Sequence, residues 1–228
     1  PTLTLNNVQL IDDNSTYRVI VSNSAGSLTS NSALLAVRLP ANLGEFTGGL
    51  VAYYPFNGNA NDESGHDNNG TVIGATLATD RYGTASKAYS FDGVNDYIDA
   101  GHSPSLSLTT FTISTWFKWE TEHPTDVYRV ILAKGSTVHN YSENFMFLVQ
   151  DNTHNVDALV GNGNPSASYF AGETNVGNDT WHQAVLVYDS VAGTGNFFID
   201  GVLKESITGV PAAYTNNNAN LTIGKWEG

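Results

Sequence analysis

The chain has 228 residues, of which 40% are hydrophobic and 14% charged, so a substantial apolar core is available and a disordered chain is excluded. A net charge of −13, from 22 acidic against nine basic residues, excludes nucleic acid as a partner, because a phosphate backbone needs clustered Lys and Arg. No cysteine is present, which removes disulfides and thiolate metal sites, and no run approaches the roughly 18 consecutive apolar residues needed for direct membrane insertion as a helix.

Residues 1–38 alternate apolar and polar positions with period two, through Leu3 and Leu5, then Tyr17, Val19 and Val21, then Leu35 and Val37. Three short strands are predicted, separated by Asp, Asn, Ser and Gly turns. The run Asp13-Asn14-Ser15-Thr16-Tyr17-Arg18-Val19-Ile20-Val21-Ser22-Asn23-Ser24-Ala25-Gly26 resembles the last strands of an immunoglobulin-like domain. That resemblance implies a corner role for Tyr17, a hairpin turn over Asn23 to Gly26, and apolar packing at Val19 where the family often carries a cysteine. Residues 39–48, with Pro40 and Gly44, read as a linker.

From Gly49 onward, strand-like runs recur at short intervals. They are Leu50 to Phe56, Ala88 to Phe91, Phe111 to Trp119, Arg129 to Ala133, Phe145 to Gln150, Val156 to Val160, Trp181 to Tyr188, Asn196 to Asp200, Val202 to Ile207 and Leu221 to Gly224. Such spacing predicts an all-β sandwich or barrel. Asp200-Gly201, between two alternating runs, is a two-residue hairpin signal, since both positions tolerate positive φ.

Gly49-Leu50-Val51-Ala52-Tyr53-Tyr54-Pro55-Phe56, Asp62-Glu63-Ser64-Gly65, Asn69-Gly70-Thr71, Phe91-Asp92-Gly93-Val94-Asn95-Asp96-Tyr97-Ile98, Phe111-Thr112-Ile113-Ser114-Thr115-Trp116, Trp181-His182 and Phe198-Ile199-Asp200-Gly201 follow one another in this order. Together they resemble the laminin-G-like, concanavalin-A-like jelly rolls of multidomain bacterial surface and polysaccharide-processing proteins. The resemblance implies an antiparallel jelly-roll β-sandwich over 49–228, an extracellular setting, and a closing strand beyond Gly228.

Enzymes share this sandwich, so catalysis is judged from residues. Laminarinase-type relatives place carboxylates at alternate positions of one strand, in a Glu-x-Asp-x-x-Glu pattern absent from this sequence. Glu120 and Glu122 lie before Pro124, at what reads as a solvated strand end, and no Gly-x-Ser-x-Gly elbow occurs. No catalytic residue is assigned. His66, His102, His139 and His154 fall in polar loop stretches, and His182 reads as a hydrogen-bonded structural residue.

The stretch from Asn57 to Gly70 crowds carboxylates, amides and glycines into one loop, an oxygen-rich composition suited to a hard cation such as calcium. The resemblance implies a structural calcium ion held between this loop and the Asp-Gly-x-Asn-Asp loop, by Asp62, Asn69, Asp92 and Asp96, with Asn57 as a further candidate. The same residue types also build turns by local mechanisms.

Sugars are bound by aromatic faces flanked by planar amides and carboxylates. Trp119, Tyr128, Tyr141, Tyr169 and Trp226, at strand ends or in polar loops, are candidate platforms, with Asn140, Asn144, Asn162 and Asn164 as polar contacts. Trp116 and Trp181, inside strands, are expected in the core. The expected function is a noncatalytic carbohydrate-binding module of a secreted or surface protein, with a polysaccharide or glycan as partner. The alternative is a spacer that contacts other surface proteins, and the remaining one an enzyme on the same sandwich.

Overall fold

The computed structural model describes residues 15–35, 49–119, 128–135, 144–150, 153–161, 168–172, 176–177, 179–213, 215 and 218–225. The chain divides into two units, 1–50 and 51–228.

In the first unit, β1 (Thr16–Tyr17) pairs antiparallel with β4 (Ala33–Leu34), and β2 (Ile20–Asn23) with β3 (Gly26–Thr29). The β2–β3 hairpin turns at Ser24 and Ala25, where Asn23 Oδ1 accepts the Ala25 N–H at 2.8 Å. Val19, expected to supply apolar packing, is 59% exposed, and Val21 of β2 is 65% exposed. A two-stranded hairpin has no layer of its own against which to bury them.

The second unit is built from β5 (Thr71–Ile73), β6 (Thr76–Ala78), β7 (Ala88–Ser90), β8 (Tyr97–Asp99), β9 (Phe111–Phe117), β10 (Tyr128–Lys134), β11 (Phe145–Gln150), β12 (Val156–Val160), β13 (Ser168–Gly172), β14 (His182–Asp189), β15 (Thr194–Ile199), β16 (Val202–Thr208) and β17 (Leu221–Ile223). A seven-stranded sheet runs in the order β13-β12-β11-β10-β17-β8-β5, and a four-stranded sheet in the order β16-β15-β14-β9. The pairs β10–β17, β17–β8 and β14–β9 join strands distant in sequence, and every pairing is antiparallel, as a jelly roll requires.

The pleat decides which side chains fill the space between the sheets. Phe145, Phe147 and Val149 of β11, with Val156, Ala158 and Val160 of β12, point one way. Phe111 and Phe117 of β9, with Ala184, Leu186 and Tyr188 of β14 and Phe197 and Ile199 of β15, meet them from the other sheet. Phe147 lies 5.8 Å from Phe197 and Phe111 lies 5.3 Å from Phe145, ring contacts that bridge the two layers. Tyr188, fully buried, spends its hydroxyl on the Pro211 carbonyl at 2.8 Å, and burial pushes its phenol above the usual range.

Leu50 to Phe56, expected as a strand, joins no sheet. Its polar groups are taken up instead by the following loop, by side chains and by the Glu63 N–H, which donates to the Tyr53 carbonyl at 2.8 Å. Tyr53 N–H donates to Asp62 Oδ1 at 2.8 Å, and the Val51 carbonyl accepts from Asn68 Nδ2 at 2.9 Å and from the Ser64 hydroxyl at 3.1 Å. Strands β5, β6, β8 and β13 escape prediction because three of them are three residues long and the fourth, Ser-Tyr-Phe-Ala-Gly, carries no clean alternation.

Candidate functional site

At one end of the sandwich the chain leaving β9, the start of β10, the β11–β12 turn and the segment before β14 converge. Trp119 forms the floor of this rim. Its indole Nε1 donates to the Val176 carbonyl at 3.2 Å, its ring centroid lies 4.6 Å from that of His154, and the Arg129 guanidinium stands 5.7 Å from the ring. Trp119 is 7% exposed and belongs to the core, which corrects its expected place as an open platform. Polar Lys118 beside it hides the fact that the chain after β9 turns the indole inward.

On the face of the seven-stranded sheet turned away from the core, three side chains align across three strands. Tyr128 of β10 is the direct register partner of Gln150 of β11. Gln150 is diagonal to Asp157 of β12, since Leu148 pairs Asp157 and Val149 pairs Val156. Tyr128 is 41% exposed, Gln150 half-buried and Asp157 buried. The Gln150 amide is held at both ends: Nε2 donates to Asp157 Oδ2, and Oε1 accepts the Thr153 hydroxyl at 3.1 Å. The arrangement joins an exposed aromatic ring, a planar amide of fixed orientation and a carboxylate behind it.

Of the predicted binding residues, Tyr128 alone among the described ones stands at this exposed position. Asn140, Tyr141 and Trp226 lie outside the described residues, as do Asn162, Asn164, Glu120, Glu122, His139 and the side chain of Tyr169. Asn144 is fully buried and donates Nδ2 to the Leu108 carbonyl at 3.0 Å. Gln150 and Asp157 were missed. A carboxylate inside the apolar run Val156-Asp157-Ala158-Leu159-Val160 is the signal that marks the site, because a buried Asp in a strand needs a fixed partner.

Trp116, expected in the core, is 41% exposed on the outer face of the four-stranded sheet. Its strand turns Phe111 and Phe117 inward, so the pleat sends Thr112, Ser114 and Trp116 outward. His182 is bound at both ring nitrogens, with Nδ1 2.7 Å from Asp200 Oδ2 and Nε2 3.2 Å from Thr180 Oγ1. Asp200 Oδ1 also accepts the Gln183 N–H at 2.8 Å, so the pair ties the β15–β16 turn to β14.

The five residues expected to hold calcium turn their oxygens onto the chain. Asp62 accepts four hydrogen bonds, from Tyr53 N–H, Ser64 N–H, the Ser64 hydroxyl and Asn68 N–H. Burial alone raises its carboxyl, but these bonds outweigh burial and hold it below the usual carboxylate value. Asn69 Oδ1 accepts the Asp62 N–H at 2.9 Å, and Asn57 Oδ1 accepts the Lys87 ammonium at 2.5 Å, a cation already in place. Asp92 Oδ1 caps the N–H groups of Val94, Asn95 and Asp96, and Asp96 Oδ2 accepts the Asp92 N–H at 3.0 Å. Asp96 Oδ1 fills the space beside Gly74, where an added Cβ would meet it at 1.9 Å. Among the described residues no group of three or more His, Asp or Glu side chains gathers as a metal site. In this structure these oxygens build the turns of the two loops.

Two facing antiparallel sheets with distant strand pairings define a jelly-roll β-sandwich with an aromatic and amide cluster on one outer face. A sequence model of the concanavalin A-like lectin/glucanases superfamily, of laminin-G type, matches residues 92–228, and the chain belongs to that family. No curated protein matches the sequence.

Among solved structures, domain 4 of AbnA, a GH43 extracellular arabinanase from Geobacillus stearothermophilus determined with arabinotriose, is 22% identical with a TM-score of 0.58. The match covers 78% of this chain and 84% of that one. The receptor binding domain of botulinum neurotoxin mosaic serotype C/D is 14% identical over 74% of this chain, with a TM-score of 0.55. The binding domain of Paraclostridial Mosquitocidal Protein 1 is 16% identical over 74% of this chain, with a TM-score of 0.53. This chain spans 40% of the neurotoxin chain and 42% of the mosquitocidal one. At these identities the likeness is one of fold.

Proposed function

We propose that residues 51–228 form a noncatalytic carbohydrate-binding module of an extracellular multidomain protein, taking a neutral glycan at Tyr128 and Gln150. The observation that carries this reading is the fixed amide. Gln150 is held by Thr153 and Asp157 beside an exposed tyrosine ring, so a sugar ring stacked on Tyr128 meets a hydrogen-bonding group already oriented. Asp157 acts here as a positioning residue. The arabinotriose carried by AbnA domain 4 supports oligosaccharide binding on this fold.

A glycan array probed with the 228-residue chain, followed by calorimetry on the hits, tests the reading. Discrete neutral hits that weaken about tenfold or more in Tyr128→Ala support it, since loss of a stacking face is worth at least about 1.4 kcal/mol. An array without neutral hits moves the assignment to the spacer alternative.

A further inference from the structure

The outer face of the four-stranded sheet carries a second constellation, built on the tryptophan that the pleat turns outward. The loop joining β6 to β7 brings Arg81 over β9. Its guanidinium carbon lies 4.4 Å from the centroid of Trp116 and 4.3 Å from that of Tyr82, and its Nη2 donates to the Tyr82 hydroxyl at 2.7 Å. Trp116 is 41% exposed and Tyr82 60% exposed.

The acid next to Arg81 in sequence is not its counter-ion. Asp80 Oδ1 accepts the N–H groups of Tyr82 and Thr84 at 2.9 and 2.8 Å and so holds the turn. Among the described residues Arg81 pairs with no carboxylate, although acidic residues outnumber basic ones by 22 to nine. A guanidinium in such a chain is expected to find an acid. This one is held by two rings, with most of its donors unspent. The two rings and the Tyr82 hydroxyl already place the guanidinium, so a carboxylate arriving at the fork gains a charge-assisted, bidentate contact at a reduced ordering cost on the protein side.

The neighbouring strand supplies polar reach. Gln183 of β14 is the register partner of Trp116, and its Nε2 donates to Ser114 Oγ at 3.0 Å. That bond orients the amide and leaves Oε1 without a donor among the described residues.

We propose that Arg81, Trp116 and Tyr82 form a second ligand site, for a hexuronate residue of an acidic polysaccharide. Its carboxylate lies on the Arg81 fork, its C–H surface lies against the exposed parts of the two rings, and a hydroxyl donates to Gln183 Oε1. Charge complementarity selects the occupant. A neutral sugar leaves the guanidinium with water, whereas a uronate matches its charge and its planar geometry. The site lies on the sheet opposite to the one that carries Tyr128 and does not depend on that residue.

The test is a nuclear magnetic resonance titration of the 228-residue chain with trigalacturonate, with its methyl ester, and with a neutral galactose trisaccharide. Trigalacturonate is expected to shift the Trp116 indole N–H, the Arg81 side chain and the Gln183 amide saturably. Methyl esterification or Arg81→Gln is expected to weaken binding about tenfold or more, and Arg81→Lys to weaken it less, because charge remains while the planar fork is lost. Tyr128→Ala is expected to leave this binding unchanged. Equal shifts from the uronate and its ester overturn the proposal, as does the absence of saturable shifts at these three residues. Uronate shifts confined to Tyr128 and Gln150 also overturn it, while leaving the first site standing.

Discussion

Tyr128 and Gln150 face each other across β10 and β11, and Gln150 is in turn hydrogen-bonded to Asp157 of β12, so an exposed ring and an immobilised amide share one sheet face. The strand ladder sets their spacing, and the β11–β12 turn supplies Thr153 to fix which end of the amide points where. Binding groups carried on strands hold their geometry better than groups carried on loops.

If Asp157 acts by orienting Gln150, Asp157→Asn replaces one accepting oxygen with an NH2 donor and weakens glycan binding by less than Tyr128→Ala does. Gln150→Ala is expected to weaken it about as much as loss of one hydrogen bond, roughly 0.5–1.5 kcal/mol. Calorimetry on the three variants checks the order Tyr128, Gln150, Asp157.

The two tryptophans of β9 and its end separate by burial. Trp119→Ala removes a core side chain and leaves the Val176 carbonyl without its indole donor, so a loss of about 3–5 kcal/mol in unfolding free energy is expected. Trp116→Ala, on the exposed face, is expected to stay within about 1 kcal/mol of the parent. Urea denaturation of both variants tests the contrast, and equal losses count against the assignment of faces.

Asp62 predicts an acid limit for the second unit. Its folded carboxyl lies below the unfolded value of about 3.9, so its stabilising contribution is fully present above that value and is lost as pH falls through the lower folded value. Unfolding followed from pH 6 downward is expected to show stability falling below about pH 4. Asp62→Asn is expected to lower stability at neutral pH and flatten this acid dependence. An unchanged slope in the variant contradicts the role given to the carboxylate.

Calcium offers a direct check on the loops that carry Asp62 and Asp92. Because their oxygens already accept the chain's own N–H and O–H groups, melting curves in calcium and in chelator are expected to coincide. A calcium-dependent rise in melting temperature identifies an ion that binds the folded state, and returns these residues to the ligand role their composition invites.

The jelly roll was legible because β9, β11, β12, β14 and β15 are long enough to show their pleat, and because Asp200-Gly201 marks a hairpin. Asp200 does adopt a left-handed φ of 51° there. Leu50 to Phe56 misled because apolar content alone resembles a strand, whereas its backbone partners are the side chains of Asp62, Ser64 and Asn68 and the Glu63 N–H. The site was half legible. Tyr128 announced itself at a strand end, while Gln150 and Asp157 were concealed in apolar runs whose partners depend on register across three strands. Trp116 and Trp119 exchanged their expected places because the pleat of β9 sends Trp116 outward, while the chain leaving β9 turns the Trp119 indole into the core.

The most direct test of the carbohydrate-binding reading is a resonance-level titration of the 228-residue chain with the strongest neutral glycan from an array, observing the Tyr128 ring and the Gln150 side-chain amide. Saturable shifts at both, abolished in Tyr128→Ala while its spectrum stays folded, are the predicted result. Binding that leaves these two side chains unmoved, or no neutral glycan that binds, would contradict the account.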